Sequence, residues 1–107
     1  MLAREAARLV KKYLHCVQEA GIPVTQGIVY GSYARGEQRR ESDIDLLVIS
    51  PLFDKKKGSA TFDLLWKLRR STDYRVEPIP VGEKEYRNRK GSAILAAARA
   101  EGLVVRP

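Results

Sequence analysis

The chain holds one cysteine, one histidine and one tryptophan, and this scarcity removes several function classes at once. With Cys16 alone no disulfide can close within the chain, and neither a CxxC pair nor a Cys/His zinc pattern is present. A reducing cytoplasm is the expected setting. His15 and Cys16 stand together on a helical stretch without further metal-binding partners, so both read as structural. Long apolar runs are also missing. Stretches such as LLVI and AILAAA are far too short to span a bilayer, and the opening MLAREAARLVKKY mixes acids and bases, unlike a signal peptide. No membrane partner is expected. Acid is scarce relative to base, with 13 Asp+Glu against 20 Lys+Arg and a formal charge of +7. That balance favours an anionic partner, whether nucleic acid, nucleotide or acidic protein surface. It also serves plain solubility, so charge alone decides little.

No repeat, low-complexity segment or interior linker interrupts the chain. Its 107 residues, 44% of them apolar, fit a single domain over 1–107 with one core. Leu2, Ala6, Leu9, Val10, Tyr13, Leu14 and Val17 recur at helical spacing, and Gly21-Ile22-Pro23 ends the pattern, predicting a helix over 2–20. A β-branched strand follows over 25–30, then a helical turn over 32–36 and a charged loop. Residues 43–49 alternate between faces, with Asp43, Asp45 and Leu47 on one and Ile44, Leu46 and Val48 on the other. Beyond the polar loop FDKKKGS, Ser59 is the expected cap of a helix through ATFDLLWKLRR, with Phe62 and Trp66 as core. YRVEPIPV reads as a third strand, placed at an edge by Pro78 and Pro80. EKEYRNRK is a weak charged helix, SAILAAARA a stronger one stopped by Gly102, and LVVR a short last strand. The expected architecture is α+β: a small mixed sheet flanked by helices.

The stretch YGSYARGEQRRESDIDLLVI carries the chemistry. Gly31-Ser32 follows an apolar strand and opens a helical turn, where backbone N–H groups are free to take phosphate oxygens. Ten residues later Asp43 and Asp45 stand two apart on one strand face. Either half has a plain structural use: Gly31 makes a tight turn, Ser32 caps a helix, and Asp43 opens a strand. Asp45, however, sits mid-strand between Ile44 and Leu46, where strand propensity disfavours it, and such local conflict marks functional positions. Magnesium takes oxygen ligands and commonly uses one or two carboxylates plus substrate phosphates. Glu77, inside the third strand, is the acidic residue placed to serve as a third carboxylate. It also reads as a protective charge on an edge strand. Lys55-Lys56-Lys57 and Arg39-Arg40 read as solvated loop charges rather than a nucleic-acid patch.

The residues from Gly27 to Ile49 closely resemble the signature of the minimal nucleotidyltransferases, relatives of the DNA polymerase β superfamily. That resemblance implies a polymerase β-like fold and Mg²⁺-dependent transfer of a nucleoside monophosphate from an NTP to a hydroxyl, releasing pyrophosphate. Asp43 and Asp45 match the family's metal pair, Gly31 and Ser32 its phosphate-binding turn, and Arg35 the arginine of its ARG element. Where the family commonly has a third aspartate, this chain offers Glu77, one methylene longer. A two-ion site and ATP as donor are family expectations. So is a helical HEPN-domain toxin as the protein that receives the nucleotide, with this chain as its antitoxin. Self-association stays open. Two other readings remain beside this one: a non-catalytic nucleotide-binding module that neutralises a partner by occlusion, and a small basic nucleic-acid-binding protein indifferent to Mg²⁺.

Overall fold

In the computed structural model, which describes residues 2–55, 58–88 and 92–107, the first amphipathic stretch forms helix α1 (Arg4–Glu19), burying Ala6, Val10, Tyr13, Leu14 and Val17. There follow β1 (Gln26–Tyr30), the one-turn α2 (Ser32–Arg35), β2 (Ile44–Ile49), and a 3₁₀ turn (Pro51–Asp54). Helix α3 (Ser59–Lys67) then runs into a second 3₁₀ turn (Leu68–Ser71) before β3 (Val76–Val81), α4 (Glu83–Arg87), α5 (Ala93–Glu101) and β4 (Leu103–Val105). Residues 56–57 of the lysine run and 89–90 of the charged stretch after β3 lie outside the described residues.

The four strands form one sheet in the order β3-β2-β1-β4. β1 is antiparallel to β2 and β4, whereas β2 and β3 are parallel. A parallel pair needs a long crossover, and α3 supplies it. Because side chains alternate, β2 feeds two cores. Ile44, Leu46 and Val48 join α1, Val29, Val76 and Leu65 on one face. Leu47 and Ile49 join Ile28, Val81, Leu95 and Ala98 under α5 on the other. Cover on both faces is why the strand reads as an almost unbroken apolar run, and why its one acid stands out.

Pro78 and Pro80 do lie on an edge strand. Arg75 and Val81 direct their carbonyls to β2, accepting from Ile44 and Ser50, so the even-numbered positions between them point outward and lose no ladder bond by being proline. That outer edge is covered. The Trp66 indole N–H donates to the Pro78 carbonyl at 3.1 Å, and Arg69 donates to the carbonyls of Tyr74 and Val76. Two expectations change as a result. Helix α3 lies along the sheet edge rather than across a face, so Phe62 is 43% exposed and Trp66 half-buried instead of both being core. Gly58, not Ser59, holds the cap position of α3, and no side chain caps it. Ser92 does cap α5, accepting from the Leu95 N–H at 3.3 Å.

Candidate active site

Strand β1 delivers the chain to Gly31, which takes φ 75° and ψ −150° before α2 begins. Two constraints act there together. The positive φ favours glycine, and a Cβ would run into the Asp45 carboxylate. Glycine thus lets the backbone turn directly against an acid on the neighbouring strand. Ser32, half-buried, is the first residue of α2, and Gly36 ends it in the left-handed conformation at φ 71°.

The strand register gathers the acids. Tyr30 pairs with Asp45 across β1 and β2, and Asp45 pairs with Glu77 across β2 and β3. Asp43 lies just before β2, exposed, and hydrogen-bonds the Glu77 carboxyl. That bond, helped by burial and by the charges of Asp43 and Asp45, pushes Glu77 up to about 7. Burial raises Asp45 as well, the Asp43 charge adds to the rise, and Arg35 opposes it. Burial pushes the Tyr30 hydroxyl up to about 12, with Asp45 and Glu77 contributing. A proton shared between carboxyls is how crowded acids relieve their repulsion when no cation lies between them. The all-oxygen donor set suits magnesium. Among the described residues no three acidic, histidine or cysteine side chains close into a metal cage. An open site of this kind fits an ion whose remaining positions are filled by water and substrate oxygens.

Arg35 is turned toward acids. Its Nε donates to Glu37 at 2.7 Å and its Nη1 to Glu101 at 3.0 Å, and these contacts hold its guanidinium firmly protonated. The same Glu101 Oε1 accepts from the Gly31 N–H at 3.1 Å. The sequence alone did not single out Tyr30 or Glu101. The arginines Arg39, Arg40 and Arg75 line a separate cavity of about 430 Å³ with Tyr33 and Ile44. It opens on the α1 side of the sheet and shares no residue with the acidic group.

A family model described as nucleotidyltransferase domain matches residues 10–95. Among solved structures, a candidate nucleotidyltransferase from Sulfolobus solfataricus superposes with a TM-score of 0.61 at 21% identity, covering 92% of this chain and 77% of its own. A toxin–antitoxin structure with AMP-PNP gives 0.61 at 22% identity, covering 89% and 71%. An aspartate-to-glutamate double mutant of the toxin–antitoxin MntA-HpeT gives 0.58 at 19%, covering 88% and 69%. At these identities the likeness speaks for the fold. No relative is found among curated protein sequences.

Proposed function

The chain belongs to the nucleotidyltransferase domain family, and from that premise we propose that it transfers a nucleoside monophosphate from an NTP to a hydroxyl, using Asp43, Asp45 and Glu77. The observation that carries this reading is the convergence of those three acids beside a turn where no side chain fits. Asp43 and Asp45 would hold Mg²⁺, with Glu77 completing the donor set. When bound, the ion supplies neutralisation of the triphosphate charge. The Gly31 backbone, Ser32 and Arg35 meet the phosphates. In the in-line displacement a bond forms from the acceptor oxygen to the α-phosphorus, and the bond from that phosphorus to the pyrophosphate oxygen breaks. Glu77, beside Asp45 on the neighbouring strand, is the carboxylate placed to take the hydroxyl proton. Most of the acceleration comes from positioning and preset charge.

A protein acceptor is supported by the toxin–antitoxin assemblies that share the fold, and ATP as donor by the neighbour solved with AMP-PNP. We place a HEPN-type toxin as that acceptor, neutralised by the modification. The test incubates the protein with lysate of its native host, Mg²⁺ and each α-labelled NTP in turn. Label should appear on a host protein with one NTP and vanish with Asp43→Asn. If the purified protein binds none of the four NTPs in Mg²⁺, the reading is wrong.

A further inference from the structure

Glu101 occupies the seat just assigned to a phosphate. Its Oε1 accepts at once from the Gly31 N–H, at 3.1 Å, and from Arg35 Nη1, at 3.0 Å. The backbone brings the two residues together. β1 and β4 pair Gly27 with Val105 and Val29 with Leu103, and the same register carried two steps further sets Glu101 opposite Gly31. The end of α5 is fixed from the other side as well. The Gly102 N–H donates to the Ala98 carbonyl at 2.8 Å, and Gly102 lies so close to Ile28 and to that carbonyl that a Cβ would collide with both. Helix α5 is therefore held where its last carboxylate meets the turn. The Gly31 N–H and the Arg35 Nη1–H converge on a single point and serve one anionic oxygen there at a time.

We propose that Glu101 is an internal competitor for the triphosphate: nucleotide binding requires its carboxylate to leave Gly31 and Arg35, and this sets the affinity of the site. The proposal rests on the nucleotidyltransferase reading above. Displacement is mechanically cheap, since the Glu101 side chain is 28% exposed and that of Arg35 46% exposed, so the freed carboxylate turns into water. A polyphosphate carrying Mg²⁺ brings several oxygens and can replace the internal ligand. A monophosphate brings few and competes poorly, so the device also selects for triphosphates. If Glu101 instead held the turn in its binding shape, removing its charge would weaken binding. The two roles predict opposite signs.

The experiment measures Mg²⁺-dependent binding by titration calorimetry, for the unaltered protein and Glu101→Gln, with each of the four NTPs and with inorganic tripolyphosphate, which reports on the phosphate seat without any base. Glutamine keeps the shape and lacks the charge. The expected result is about 3- to 10-fold tighter binding by Glu101→Gln, the scale of losing one partly exposed charged competitor. Glu101→Asp, one methylene too short to reach both partners, should tighten binding in the same direction. In the unaltered protein the Gly31 amide resonance should shift on saturation with tripolyphosphate. Equal or weaker binding by both variants overturns the proposal and leaves the nucleotidyltransferase reading standing. Absence of binding by all three proteins, to every NTP and to tripolyphosphate, overturns both.

Discussion

Glu77 shows what the acidic group costs the fold without a cation. It hydrogen-bonds Asp43 and stands opposite Asp45, and its pKa rises from 4.5 to about 7. A carboxyl whose folded pKa lies above its unfolded value binds more protons when folded throughout the interval between them. Stability from this group is therefore present below pH 4.5 and falls as pH rises to about 7. In buffer containing a chelator, the unaltered protein should lose stability across that window relative to Glu77→Gln, and the two should converge in acid. Added Mg²⁺ should then narrow the gap at neutral pH. Parallel stability curves for the two proteins, followed by thermal melting from about pH 4 to 8, would count against the crowding. This is the trade expected where a local rule is broken for function. It also explains why Asp45 was conspicuous in the sequence: an acid between Ile44 and Leu46 has no packing reason to be there.

At the scale of elements, the alternation of β2, the prolines of β3 and the periodicity of α1 each named their element, because each reports directly on which side of the backbone is buried. Helix α3 was harder to read. Its Phe62, Leu65 and Trp66 spacing suggests a helix lying across a core, yet of its residues only Leu65 is fully buried. The reason is that β3, with prolines on its open side, needs its carbonyls covered, and α3 does this from the edge. Glu101 was illegible for a related reason. Its partner Gly31 is 70 residues away, and only the register of the three-residue β4 brings them together. The edge cover is testable. Trp66→Phe keeps an aromatic ring but removes the donor to Pro78, and it weakens the stacking of the Arg69 guanidinium, now 4.1 Å from the ring centroid. A loss of about 1–2 kcal/mol is expected, read as a lower urea midpoint with an unchanged slope. An unchanged midpoint would mean that water satisfies the edge equally well.

Over the whole molecule, the two apolar clusters lie on opposite faces of the sheet. Strand β2 contributes to both, Ile44, Leu46 and Val48 to one and Leu47 and Ile49 to the other. Neither cluster can lose its layer without stripping a face of the strand that carries Asp45. Folding should therefore be one cooperative event in which the site forms together with both cores. Leu47, fully buried on the α5 face, and Trp66, packed against the α1-side cluster, make this measurable from opposite sides. Leu47→Ala removes buried methyls and leaves a cavity, at a cost of about 2–5 kcal/mol. If the faces are coupled, the Trp66 fluorescence transition in urea should shift down by the same amount as the far-UV circular dichroism transition, and the two should stay superimposed. If Trp66 instead keeps its original midpoint while the dichroism moves, the α1 face folds independently of the α5 face. The acids on β2 and β3 would then lose their support by local opening of α5, the element that also carries Glu101.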